Sequence, residues 1–115
     1  MHELSIAMSI VEMAEEESVR HGGGKVHAVH LKLGKLSGVL KEALLSSYEM
    51  ACEATALQGS QLLIEEVAVE VFCPQCGGPR LVTSIQWFAC PECGTATCTV
   101  LRGKELEVVA LEIAQ

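Results

Sequence analysis

Apolar side chains recur through residues 3–21 at the i, i+3, i+4, i+7 spacing of one helical face. They are Leu4, Ala7, Met8, Val11, Ala14 and Ser18 or Val19. That period predicts an amphipathic helix. Ile6, Ile10 and Met13 widen the stripe, so two sides of the helix are expected to be covered. Glu12 and Glu15 to Glu17 fill the remaining face and read as solvated. Gly22-Gly23-Gly24 stops the helix, with Arg20 and His21 in its last turn, where cations suit the dipole. The period then shortens to two. From Val26 to Leu33, His27, Val29, Leu31 and Leu33 share one side; Val26, Ala28, His30 and Lys32 share the other. This predicts a strand.

Gly34 to Gly38 reads as a loop, with Ser37 placed to cap the next helix. Leu44, Leu45, Tyr48, Ala51, Cys52 and Thr55 predict that second helix from about Lys41 to Leu57, ended by Gly59. Leu62 to Phe72 reads as one long strand. After it come a β-like stretch from Leu81 to Phe88 and a last strand spanning Glu105 to Ile113. The second and last strands are expected to pair antiparallel beside each other. The strand–helix–strand segment allows a parallel crossover. The expected fold is α/β or α+β: a small three-stranded sheet with two helices, and a zinc-ribbon-like lobe inserted before the last strand. The expected domains are 1–71 with 104–115, and 72–103.

The inserted lobe is defined by two cysteine knuckles, Cys73-Pro-Gln-Cys-Gly77 and Cys90-Pro-Glu-Cys-Gly94. A glycine after the second cysteine of each takes the positive φ that a tight knuckle needs. Four sulfurs at C-x2-C…C-x2-C spacing match a tetrahedral zinc site, although the linker is slightly shorter than the commonest range. A disulfide pair, a redox C-x-x-C and an iron–sulfur cluster are weaker readings of Cys73, Cys76, Cys90 and Cys93. A closed four-thiolate site is architectural by default. Cys52 falls in the helical pattern and reads as a small core residue. Cys98 reads as a free thiol more than a spare ligand. Trp87 and Phe88 suit a cover over the zinc site better than a partner surface.

The chain has 115 residues, half of them apolar but only 3% aromatic, so the core must be aliphatic. A net charge of −7 argues against a nucleic-acid partner. No apolar run reaches the length of a membrane span, and the start lacks a signal-peptide pattern. Together with cysteines read as reduced, this gives an expected cytoplasmic location. No catalytic constellation is visible, so an enzyme is not expected.

The first three residues carry separate chemistry. The Met1 amine, the His2 amide nitrogen and imidazole Nδ1, and the Glu3 amide nitrogen form a planar four-nitrogen set, which suits Ni(II) or Cu(II). These amides begin a helix, where N–H groups have no intrahelical partner. The bland reading, a solvated terminal histidine, is favoured by the residues alone.

Met-His-Glu-Leu-Ser-Ile at the start, Val-x-Leu-Lys-Leu-Gly-Lys-Leu-Ser-Gly over 29–38, Glu42-Ala-Leu and the two knuckles together resemble the HypA/HybF family. The resemblance runs from Met1 to the closing strand. It implies a nickel metallochaperone that delivers Ni(II) to the large subunit of [NiFe]-hydrogenase, and in some members serves urease. It implies work with a HypB-type GTPase. It makes Met1, His2 and Glu3 the nickel-binding residues, with nickel as transient cargo. Cys73, Cys76, Cys90 and Cys93 would hold structural zinc. The family often has a carboxylate where Leu40 stands; either Glu42 substitutes, or nickel stays planar and four-coordinate. A homodimer by exchange of the inserted lobe is compatible with this layout. The competing reading is a zinc-ribbon protein-interaction module with an inert N-terminus.

Overall fold

The structure is a computed structural model, and it describes residues 2–82, 89–96 and 99–114. The element order is α1 (Glu3–Arg20), β1 (Val26–Gly34), α2 (Lys41–Cys52), β2 (Gln61–Val67), β3 (Glu70–Cys73), β4 (Gly78–Leu81), β5 (Thr99–Arg102) and β6 (Leu106–Ile113). Two three-stranded sheets result, ordered β2-β1-β6 and β4-β3-β5. The chain divides into two compact units. One comprises Met1–Lys32, Val39–Glu65 and Glu107–Gln115; the other comprises Leu33–Gly38 and Glu66–Leu106. Residues 33–38, 66–71 and 104–106 thus group with the cysteine knuckles.

In the first unit α1 and α2 pack on each other. Ala7, Ile10, Val11, Ala14 and Ser18 form the buried face of α1, and Leu44, Tyr48 and Cys52 that of α2. Ala7 and Ala14 are fully buried, and their small side chains allow close approach. The stripe on α1 is narrower than expected, since Leu4 and Met8 are exposed. The helix ends in a Schellman motif: the Gly23 N–H donates to the Ser18 carbonyl (2.8 Å), the Gly22 N–H to that of Val19 (3.2 Å). Ser18, the one buried polar residue among those described, is satisfied because its hydroxyl donates to the Gly24 carbonyl.

Helix α2 stops at Cys52, not Leu57. Thr55 is the reason: its hydroxyl donates to the Cys52 carbonyl (2.7 Å) and accepts from the Leu57 N–H (3.1 Å). These local bonds replace the helical ladder. Leu57 still anchors the turn, with no exposed surface.

The expected pairing of the second and last strands does not occur. Strand β1 lies between them. Burial explains this: Val26, Ala28, Val29, Leu31 and Leu33 are all buried, so both faces of β1 are covered. Such a strand belongs in the centre of a sheet. Strands β2 and β6 are mostly exposed or half-buried and take the edges.

The long strand expected over 62–72 is two strands, broken at Ala68-Val69. Residues up to Val67 serve the first sheet, and residues from Glu70 serve the second. In the second unit the Val67 and Val69 carbonyls accept the N–H groups of Lys35 (3.1 Å) and Val82 (2.9 Å). Strand β5 is additional to the expected elements. It pairs antiparallel with β3 across a bulge between Glu70 and Val71. On the other side β3 pairs with β4, in the register Glu70↔Leu81 to Cys73↔Gly78. The β-like stretch read over 81–88 lies mostly outside the described residues, as do Trp87, Phe88 and Cys98.

Loop 33–38 is held by Gly34 N–H to Glu105 carbonyl and Leu36 N–H to Gly103 carbonyl bonds, each 2.7 Å. A Cβ on Gly34 would fall on the Gly103 carbonyl. Gly34→Ala is therefore expected to cost about 3 kcal/mol or more, because backbone rather than a pliable side chain must yield. Urea denaturation of the two proteins measures it. A difference within experimental error would show that the loop can open without loss.

Candidate metal centre

The knuckles turn the chain so that two pairs of cysteines face each other. In the first, the Gly77 N–H donates to the Cys73 carbonyl (2.8 Å); in the second, the Gly94 N–H donates to the Cys90 carbonyl (2.9 Å). Gly77 and Gly94 have φ of 74° and 76°, the left-handed conformation that closes each turn. The knuckles are thus local copies of one structure. Strand β3 delivers Cys73 at its end, and the Cys90 N–H is held by the Thr95 carbonyl at 2.9 Å.

The four sulfurs lie within 4.8 Å of one another. Cys73 and Cys93 are 3.5 Å apart, and Cys76 and Cys90 are 3.8 Å apart. A tetrahedral ion with bonds of about 2.3 Å needs sulfurs about 3.8 Å apart. Disulfides need about 2.05 Å, and all four thiols are free. The donor set and its spacing therefore fit zinc. Cys73 and Cys90 are buried, while Cys76 and Cys93 are exposed, so each knuckle contributes one inner and one outer ligand.

The cluster's surroundings divide its protons unevenly. The Cys76 N–H donates to Cys73 Sγ (3.4 Å) and helps pull the Cys73 thiol down to about 6. The Thr95 hydroxyl, 3.0 Å from Cys93 Sγ, also holds that thiol below its ordinary value. Cys76 moves the other way, to about 12, chiefly through its sulfur contact with Cys93. Cys73 is thus the thiol of the cluster that ionises most readily and the natural first donor to an arriving ion. Cys76 is held in its protonated form by the same cluster, and metal binding favours its deprotonation.

Sequence reasoning missed three contributors here. Thr95 is one. The others are Arg80 of β4 and Glu92 of the second knuckle, whose Nε and Oε2 are 2.8 Å apart. None carries a metal-ligand signature, so no spacing rule points to them.

The residues at the start of the chain lie apart from this cluster in sequence and belong to the first unit. Met1 lies outside the described residues. His2 is exposed at the N-cap position of α1, in extended conformation, and its carbonyl accepts the Ile6 N–H at 3.2 Å. Glu3 opens the helix. Its carboxylate accepts the Leu40 N–H at 3.3 Å, which holds it below the usual carboxylate range. Leu40, not Ser37, is the N-cap residue of α2, and its side chain is exposed. Glu42 lies in the first turn of α2 and is also exposed. The Glu3 side chain thus ties the start of α1 to the start of α2. It supplies a carboxylate beside Leu40 that the linear sequence does not suggest.

The sequence model of the family described as "Hydrogenase/urease nickel incorporation, metallochaperone, hypA" matches residues 1–113. A protein of Roseiflexus sp. strain RS-1 named hydrogenase maturation factor HypA is 46% identical over 112 residues, covering 97% of this chain and 91% of that protein. One of the same name from Chloroflexus aurantiacus is also 46% identical, covering 97% and 98%. The solution structure of the Ni metallochaperone HypA from Helicobacter pylori superposes with a TM-score of 0.65 at 24% identity, covering 98% of this chain and 97% of that one. A second solution structure, of a HypA protein, gives 0.72 at 23% identity, covering 99% and 97%. At these identities the two structures speak for the fold alone.

Proposed function

The chain belongs to the HypA family of nickel-incorporation metallochaperones, and from that premise we propose that it carries Ni(II) to the large subunit of a [NiFe]-hydrogenase during maturation. The observation that carries the proposal is the exposed His2 before half-buried Glu3 at the start of α1, in a chain matched to the family from its first residue. Met1, His2 and Glu3 bind the cargo through the terminal amine, the two amide nitrogens and the His2 imidazole. Planar nitrogen ligation favours nickel over zinc. The amides concerned lie where a helix does not use its N–H groups, so their deprotonation breaks no helical hydrogen bond. Glu3, fixed to Leu40, steadies the site from its far side.

Zinc stays with Cys73, Cys76, Cys90 and Cys93 and is structural, since four thiolates leave no open position. The first unit is the nickel-binding domain, and the unit with the knuckles is the zinc-binding domain. Neither calls for catalysis by the protein itself. A HypB-type GTPase is the partner that fits the family, the protein works in the cytoplasm, and urease is a further destination. Among the described residues no helix is long and apolar enough to cross a membrane.

Titration of tag-free protein that already holds zinc tests the proposal. One nickel per chain is expected, with much weaker binding when residues are added before Met1. Equal binding by the extended protein would remove the terminal amine from the site. No binding by either form would leave the alternative, a zinc-held interaction module.

A further inference from the structure

We propose that Arg80 is the countercation of the four-thiolate cluster and, with Glu92, the clasp that closes one knuckle on the other. The inference rests on the reading of the cluster as a zinc site. Arg80 stands on β4, opposite Val71 of β3 and four residues beyond Cys76. Its side chain is half-buried. Its Nη1 donates to the Pro79 carbonyl at 2.7 Å and lies 3.4 Å from where a Cβ on Gly78 would stand. The guanidinium is therefore folded back over the exit of the first knuckle. From there Nε reaches Glu92 Oε2 at 2.8 Å, and Glu92 sits between Cys90 and Cys93. One side chain thus spans both knuckles. The guanidinium thus bears on the exit of the first knuckle and on the middle of the second at once.

Charge gives this arrangement a purpose. Zinc with four thiolates carries two net negative charges, in a chain already at −7. A cation folded over the knuckles stabilises that dianion and weakens the thiolates' attraction for protons and oxidants. Arginine suits the task because its charge does not titrate and its fork holds an anchor and a target together. Arg102, another cation of this unit, is engaged by Glu70 at 3.5 Å. Partners outside the ligand shell commonly set metal retention, and their loss costs about 10- to 100-fold.

The test is zinc release to excess chromogenic chelator, after zinc content and circular dichroism have been matched. Arg80→Gln is expected to release zinc about tenfold faster than the unaltered protein. Arg80→Lys keeps the charge and is expected to stay near the original rate. An unchanged rate for Arg80→Gln overturns the inference. So does an Arg80→Lys rate equal to that of Arg80→Gln, because the charge would then not matter. Should Arg80→Gln fail to fold, Glu92→Gln carries the test: it frees the guanidinium and should raise the rate by a smaller factor, and no rise would overturn the clasp. Unaltered protein purified without zinc would instead remove the zinc reading itself.

Discussion

Replacing His2 by alanine is expected to weaken nickel binding by more than about a hundredfold, beyond the loss caused by removing an outer-shell partner. The reason lies in how the proposed site is assembled. The imidazole Nδ1 and the terminal amine are ordinary donors. The two amide nitrogens become donors only after losing protons, and a metal already anchored on either side makes that loss favourable. Without the imidazole the chelate has one open end, and the amides keep their protons. The protein's other histidines supply the controls. His30 is held by Glu112 at 2.7 Å, and His21 lies 3.7 Å from Glu17. Alanine at either position, or at exposed His27, should leave one-equivalent binding intact. Absorption spectroscopy reads the result. A weak yellow-orange band saturating at one equivalent, absent in His2→Ala, would mark planar nickel and show that Leu40 costs nothing essential. A greenish six-coordinate spectrum still dependent on His2 would bring in a carboxylate or water. Undiminished binding by His2→Ala would sink the N-terminal assignment. Affinity should also fall as pH falls, since protons compete for every nitrogen in the set.

Much of this fold is legible in the sequence because each element repeats its own period. The helix over 3–21 and the strand over 26–33 fall within a residue of α1 and β1, where spacing, glycine stops and burial agree. The cysteine knuckles are equally plain, since ligand spacing is a local property and the four sulfurs converge as that spacing implies. The features that stay hidden depend on contacts between distant segments. Nothing in LLIEEVAVEVF says that its partners change at Ala68-Val69. The apolar density of β1 does signal a central strand, but chain order suggests instead that β2 and β6 should meet. Strand β5 is four residues long and mostly exposed, too short for a period to declare itself. The same limit applies around the metal. Arg80 and Glu92 meet across twelve positions, and Glu3 meets Leu40 across 37. Each is an ordinary surface residue until the fold brings its partner to it.

Cys73→Ala is expected to unfold the knuckle-bearing unit while leaving most of the helical signal. Few of the described apolar side chains in this unit are buried. Among the described residues from 66 onward, Val69, Val71 and Ala89 are its buried aliphatics, beside Cys73 and Cys90 themselves. Three short strands with so small a core are marginal alone, and metal commonly supplies the deficit. Structural zinc contributes about 10–16 kcal/mol of apparent binding energy in zinc-finger peptides, so a lobe built on it does not survive its loss. Cys73 is the most damaging ligand to remove. It is fully buried at the end of the central strand β3, its carbonyl closes the first knuckle, and its sulfur accepts the Cys76 N–H. Alanine there leaves three ligands and an N–H without its acceptor. The helices α1 and α2 have a separate core in Ala7, Ile10, Val11, Ala14, Leu44, Tyr48 and Leu62, which the substitution does not touch. Zinc analysis should therefore fall toward zero, proteolysis should concentrate within residues 66–106, and far-ultraviolet circular dichroism should keep its helical bands. Cys52→Ala, a buried cysteine outside the cluster, should lose packing but no zinc. Loss of the helical bands in Cys73→Ala would mean that the first unit cannot stand without the second. In that case zinc would hold the whole protein together, and its removal would release nickel as well.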